Sequence, residues 1–199
     1  MKHFMSRQLR SVSKRWGYVL MCCRFIAFKI KNIDGRVRKE PGVRLNVRLI
    51  CDGEGEVLIG SDVSIGYGLA SMMGDGAVRL QARGPESRIS VGAGTQFSNN
   101  VQVFAVQGVH IGARCLIGDA VMIQDSDFHD LSAEGRHSRP AETAPVVLED
   151  NVFIGSRVII LKGVTIGKDS VIGAGSVVVR SIPPGVIAAG NPARVIRPL

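Results

Sequence analysis

Aliphatic residues recur every six positions through the C-terminal part of this chain. Ile154, Ile160, Ile166, Ile172 and Val178 form one unbroken series, and four places after each stand Val158, Val164, Ser170, Ser176 and Ile182. Glycine follows the aliphatic position at Gly155, Gly167 and Gly173. The same phase returns upstream at Ile111, Ile117 and Ile123, with Cys115 and Val121 four places on, and more briefly at Ile59 and Ile65 with Val63. An amphipathic helix spaces apolar residues by three and four and a half-buried strand by two, so neither gives a strict six. A short strand, a bend and another short strand do. Three such units close one triangular coil of about 18 residues, whose aliphatic side chains point inward and stack from coil to coil. β-Branched residues suit the inward position because their stiff χ1 costs little in extended chain. Glycines and small polar residues are expected at the bends, where backbone angles are unusual.

The phase breaks twice. Between Gly68 and Arg88 it weakens, which predicts irregular coils or a loop. Over residues 124–144 it disappears into polar sequence, and Ile154 resumes one residue out of step with Ile123. A loop of that length leaving a compact repeat is usually functional. The chain therefore reads as a basic amphipathic segment at 1–40, expected to be helical, and a solenoid domain at 41–199 with an extruded loop at 124–144 and a C-terminal tail at 183–199.

Composition agrees with a solenoid: 45% of residues are hydrophobic but only 5% aromatic, with 24 glycines. At 199 residues there is room for one substantial core. The net charge of +8 changes meaning once it is divided along the chain, because residues 1–40 hold 11 Lys and Arg against 2 acids, and the remainder 14 against 15. A basic arm on a neutral body is not a basic DNA-binding domain, so no nucleic-acid partner is expected. Residues 1–33 alternate basic with apolar and aromatic side chains, which suits either peripheral contact with an anionic membrane surface or a cap over the open end of the solenoid. No apolar run approaches the ~20 residues of a spanning helix. Cys22, Cys23, Cys51 and Cys115 are irregularly spaced and follow no secretory signal, which fits a reduced, cytoplasmic setting.

From about Gly92 onward the chain resembles the hexapeptide-repeat acyltransferases, in particular the galactoside, maltose and xenobiotic acetyltransferase branch and the polysaccharide O-acetyltransferases. The resemblance rests on Asn151 to Ser156, Gly163 to Gly167, Ile172 to Val178 and Ala189 to Arg197. It implies an all-β, left-handed parallel β-helix, a homotrimer, and acetyl-coenzyme A as acyl donor. Carried over by position, the resemblance implies His129, in Asp125-Ser126-Asp127-Phe128-His129, as general base, and Asn99, 30 residues earlier, beside the acceptor hydroxyl. Gly155, Ser156, Ala174, Val179, Arg180, Arg194 and Arg197 fall on coenzyme A-lining positions, with Phe153 where the family usually has Trp. Gln107 stands in place of an acidic acceptor-binding residue, and the family's N-terminal helical region is not recognisable, so a different acceptor is expected.

The chemistry needs these residue types. A hydroxyl is far too weak an acid to attack a thioester unaided, and an imidazole of pKa about 6.5 is matched to removing its proton near neutrality. A backbone N–H near Gly155 and Ser156 is expected to face the thioester oxygen, and Asp127 to fix the imidazole tautomer. Arg180, Arg194 and Arg197 supply cations for the phosphates of the donor. His3, His110 and His137 read as solvated or structural. Some proteins of this fold hold zinc on three histidines, but the spacing here lacks a His-x4-His pair, so no metal is expected. The functional expectation is O-acetylation of a sugar hydroxyl on a surface polysaccharide or its precursor. The alternatives are N-acylation of a nucleotide-linked amino sugar and a non-catalytic β-helix scaffold.

Overall fold

The computed structural model describes residues 35–68, 70 and 75–199. The expected N-terminal helix and membrane-contacting segment lie outside the described residues. Among the described residues every regular element is a strand, and no helix is long and apolar enough to cross a membrane.

The strands form the three faces of a prism. The first face holds β1 (Val37–Lys39), β4 (Glu56–Ile59), β7 (Arg88–Val91), β10 (Gly108–Ile111), β13 (Val146–Leu148) and β16 (Thr165–Ile166). The second holds β2 (Arg44–Leu45), β5 (Ser64–Ile65), β8 (Gln96–Phe97), β11 (Leu116–Ile117), β14 (Phe153–Ile154), β17 (Val171–Ile172), β19 (Val186–Gly190) and β20 (Ala193–Pro198). The third holds β3 (Leu49–Gly53), β6 (Val78–Ala82), β9 (Gln102–Ala105), β12 (Met122–Gln124), β15 (Ile159–Ile160) and β18 (Val177–Val178). Successive strands visit the faces in turn and pair in parallel with their equivalents one coil away. The exception is the closing hairpin, in which β20 runs antiparallel to β19. β1 pairs with β4 from Val37, so the solenoid includes residues that the sequence pattern assigned to the N-terminal segment. The tail at 183–199 is largely this hairpin.

The six-residue ladder is the core. Ile111, Ile123, Ile154, Ile160, Ile166, Ile172 and Val178 are wholly buried, and each stacks on its register partner in the next coil. The coil is 18 residues long only at the C-terminal end, where Val147 pairs with Thr165. Further up it is 20, as Ile89 pairs with Val109. The extra two residues fall between Val103 and Ile111 and lengthen the third face, which buries Ala105 beyond Val103. That is why the upstream repeat reads as fragments. The weak stretch from Gly68 to Arg88 includes a regular ladder strand, β6, whose Leu80 and Ala82 are fully buried.

Glycine in the hexads has a different cause from the one expected. Gly155, Gly167 and Gly173 do not have positive φ. A Cβ on Gly155 would lie 2.6 Å from the amide nitrogen of Ala174, and one on Gly167 would lie 2.4 Å from that of Pro184. Coils approach too closely there for any side chain. The left-handed backbone falls on the corners, where it is held by Gly42, Gly94, Gly163 and Gly175, as expected of glycines at bends, and by the non-glycine residues Asp62, Asn100, Arg114, Ala120, Asn151, Arg157 and Asp169. Two of these are tied to the next coil, Asn100 Nδ2 donating to Asp119 Oδ1 at 2.8 Å and Asn151 Nδ2 to Asp169 Oδ1 at 2.8 Å. Ser170 and Ser176, in the small-residue position, bind the closing hairpin: Ser170 Oγ accepts from Val186 N and Ser176 Oγ from Gly190 N.

Candidate functional site

The loop that carries His129 leaves the edge between the third and first faces, after β12, and makes its coil 37 residues long, as Val109 pairs with Val146. Its neck is tightly built. Asp125 follows the ladder pair Gln124 and Phe104 and points into the coil below, wholly buried. Its carboxylate accepts from three consecutive corner amides, Val106 N at 2.8 Å, Gln107 N at 2.7 Å and Gly108 N at 2.6 Å. Such charge-assisted bonds are the strong ones. Ser126 and Thr143 pair antiparallel across the neck, and Ala144 N donates to Asp125 O at 2.9 Å.

Lys162 comes from the same edge one coil further on. Its Nζ lies 2.7 Å from Glu142 Oε2 and 3.2 Å from Asp127 Oδ2, joining the two limbs of the loop. The hydrogen bond to Glu142 and then the contact with Asp127 hold the ammonium above the ordinary lysine range. Asp127 is thereby committed to Lys162, and it forms no ion pair with His129. The expected tautomer-fixing role for Asp127 is not what the geometry shows.

Phe128, immediately before His129, has φ +62°, an uncommon conformation for a bulky residue. Ser126 Oγ accepts its amide at 2.9 Å. Its ring meets Phe104 edge-to-face at 6.1 Å between centroids. The Arg83 guanidinium lies 4.2 Å from the Phe128 centroid and 5.4 Å from that of Phe104. Backbone strain of this kind persists where surrounding contacts over-determine it. The His129 side chain is exposed and makes no hydrogen bond or ion pair with described residues. His137 is exposed, and His110 lies outward on β10 with Nδ1 2.8 Å from Ser90 Oγ. No group of three potential metal ligands occurs among the described residues.

Asn99 stands at the other edge of the third face, between β8 and β9. It is fully buried, with Oδ1 accepting from Tyr67 N at 2.9 Å and Nδ2 donating to Tyr67 O at 3.2 Å. Its side chain thus anchors the chain segment that leaves this edge after β5. Ser156 and Ala174 are exposed at the same edge, one below the other. The Gly155 amide donates to Ile172 O at 2.8 Å, which leaves the Ser156 amide as the available donor of that pair. Val179 and Arg180 lie on the far edge, the one that carries the His129 loop. One chain does not bring the predicted residues together: Asn99, Ser156 and Ala174 line one edge of the third face, and His129, Val179 and Arg180 the other.

The second face supplies the remaining group. Phe153 is 45% exposed, and its outward row runs from Leu116 through Phe153 and Val171 to Ile187. Arg194 pairs with Ala189 and Arg197 with Ile187, so both guanidiniums share that outward side.

Residues 145–180 match the family described as the hexapeptide repeat of succinyl-transferase. The chain is 41% identical over 111 residues to the galactoside O-acetyltransferase of Escherichia coli, covering 56% of this chain and 54% of that protein. It is 47% identical over 111 residues to a putative acetyltransferase of Saccharomyces cerevisiae, covering 56% of each. Over its C-terminal half the chain is thus similar to hexapeptide-repeat acetyltransferases. Its prism is a left-handed parallel β-helix: a hexapeptide-repeat acetyltransferase of Vibrio cholerae, solved with acetyl-coenzyme A, superposes with a TM-score of 0.53 at 37% identity, covering 57% of this chain and 61% of the other. The matches span about half the length of these curated hexapeptide-repeat relatives. Within the hexapeptide-repeat framework, Asp125, Lys162 and Arg83 are the residues that the sequence pattern did not single out. The signal for Asp125 was present as a polar residue on a ladder position.

Proposed function

We propose that this protein transfers an acetyl group from acetyl-coenzyme A to a carbohydrate hydroxyl, with His129 as general base, in a homotrimer whose sites form between neighbouring copies. The observation that carries this reading is the division of the predicted site between two edges of one face. A base on one edge and a donor groove on the other become a single site only when the edge of one copy meets the opposite edge of the next. The relatives support the reaction class, since the Escherichia coli protein is named a galactoside O-acetyltransferase and the Vibrio cholerae protein was solved with acetyl-coenzyme A.

In this reading the phosphates of the donor meet Arg194 and Arg197 of one copy and Arg180 of the next. The pantetheine runs past Ser156 and Ala174 towards the loop. The acceptor oxygen attacks the thioester carbonyl carbon as the His129 imidazole takes its proton. The Ser156 amide faces the developing oxyanion, a contribution worth ~3 kcal/mol where such a donor is well aimed. Collapse of the intermediate breaks the carbon–sulfur bond, and the imidazolium returns its proton to the departing thiolate. Asn99 holds the Tyr67 segment that borders the acceptor space. The acceptor is a surface polysaccharide or its precursor, handled in the cytoplasm.

Subunit mixing tests this. His129→Ala and Ala174→Arg chains, each inactive alone, are denatured together and reassembled, and coenzyme A release from acetyl-coenzyme A is followed with a sugar acceptor that the wild-type protein acetylates. Recovery of activity in the mixture supports a site shared between copies. Two inactive parents that stay inactive when mixed, despite reforming trimers, would remove it.

A further inference from the structure

Five landmarks line the edge between the third and first faces. From the N-terminal end they are Arg83 after β6, Gln107 after β9, the His129 loop after β12, Lys162 after β15 and Arg180 after β18. Arg180 and Arg83 thus stand two coils to either side of the loop. If the donor lies on the Arg180 side, as the proposed function has it, the acceptor approaches from the side of Arg83.

The acids at the neck and base of the loop are satisfied. Asp125 is held by three amides, Asp127 and Glu142 by Lys162, and Asp130 by Ser132, whose hydroxyl and amide keep that carboxyl below its ordinary range. Arg83 is a cation beside the loop with no acidic partner among the described residues; Arg136 and Arg139, within the loop, also lack one, but Arg83 is the one stacked on the aromatic pair that precedes His129. Its Nε donates to Gln81 Oε1 at 2.8 Å, and its plane is stacked on Phe128 and Phe104. The stacking and the Nε bond fix the guanidinium, and its two terminal nitrogens present donors in a fork that fits an oxyanion. A donor group already held in place loses little freedom when a ligand arrives.

The geometry points to Arg83 as a specificity residue that binds an oxyanion on the acceptor, a sugar carboxylate or a sugar phosphate, one loop residue away from the base. This rests on the proposed function, in which His129 marks the reacting hydroxyl. It also gives a reason for Gln107: an acid at that position would stand on the same edge between Arg83 and the loop, where it would compete for the guanidinium.

The test uses full-length protein labelled with nitrogen-15 at arginine, with and without added coenzyme A. Methyl β-D-glucuronide, glucose 1-phosphate and methyl β-D-glucoside are titrated in; the Arg83 Nε–Hε resonance, assigned by its absence from Arg83→Lys and Arg83→Met, is followed in wild type, and the affinity for each sugar is measured by calorimetry in all three proteins. At least one anion is expected to shift that resonance saturably and to bind about tenfold more tightly than the glucoside, the value of one charge-assisted contact. The carboxylate and phosphate arms distinguish the two sources. The difference between anion and glucoside should vanish in Arg83→Met and persist in part in Arg83→Lys, which a purely structural role for Arg83 would not produce. Equal binding of all three sugars, or anion binding that leaves the Arg83 resonance unmoved, overturns the inference. Coenzyme A affinity and acetylation of the bound sugar are read in parallel. A protein that binds the anion at Arg83 but neither binds coenzyme A nor acetylates any sugar keeps this inference and overturns the proposed function.

Discussion

Arg194 and Arg197 lie three residues apart on one strand yet point to the same side of it. In a regular strand an odd separation puts two side chains on opposite faces. Here the register of β19 and β20 shifts between Ile187 and Ala188, so Val195 pairs with Ala188, Arg197 with Ile187, and Ile196 is left unpaired. A bulge of this kind resets the alternation. Arg194 opposes Ala189, two positions from Ile187, and both cations join the outward row that includes Phe153.

Arg197→Ala should therefore weaken coenzyme A binding, and deleting Ile196 should not, because removing the bulge residue leaves Arg194 and Arg197 two positions apart and still on one side. Calorimetry should show about a tenfold loss of affinity for Arg197→Ala, since one charge-assisted contact is worth ~1.4 kcal/mol. Unchanged affinity in Arg197→Ala would mean that Arg197 does not meet the donor.

Lys162→Met should loosen the loop. The clasp across Asp127 and Glu142 is lost, and trypsin should cut after Arg136 several times faster than in wild type, while Lys162→Arg stays protected. Because the ammonium is held above its ordinary value, its stabilising effect is complete below the unfolded lysine pKa and disappears only as pH rises through the higher folded one. Protection in wild type should accordingly be level from about pH 7 to about pH 10, a window set by the ordinary lysine value of about 10.4.

Gly155→Ala should destabilise although no special backbone angle is involved. The new methyl would meet the Ala174 backbone, and overpacking at such a site costs about 1–3 kcal/mol, readable as a lower denaturant midpoint. Ile160→Ala opens a cavity in the ladder and should cost about 2–5 kcal/mol.

Cys51 and Cys115 should be inert to thiol reagents in the folded protein. Burial, helped by Asp52, pushes the Cys51 thiol up to about 12, and burial also raises that of Cys115. With Cys22 and Cys23 replaced by serine, no labelling is expected at about pH 8 until the chain is unfolded, because the thiolate is the reactive form.

The aliphatic ladder was legible because a six-step period admits one simple geometry, and burial of Ile154 through Val178 follows that period without exception. The upstream coils were harder to read because their faces carry two extra residues, which shift the phase while preserving the fold. Positions of the site residues followed from the motifs, but their partners did not. Asp127 looks like a neighbour of His129 in sequence, yet Lys162 reaches it from 35 residues away, a contact set by stacking of coils. Asn99 was legible as a polar corner residue, and its engagement with Tyr67 depends on a segment that breaks the repeat. Arg83 carried no signal, since its significance comes from two phenylalanines on other coils.

The most direct measurement compares wild type with His129→Ala for acetyl transfer from acetyl-coenzyme A to a sugar hydroxyl, with coenzyme A affinity determined for both. Loss of a general base should lower kcat by ~100- to 10,000-fold while the dissociation constant for coenzyme A stays within about twofold. A variant that transfers acetyl groups at the wild-type rate would contradict the account.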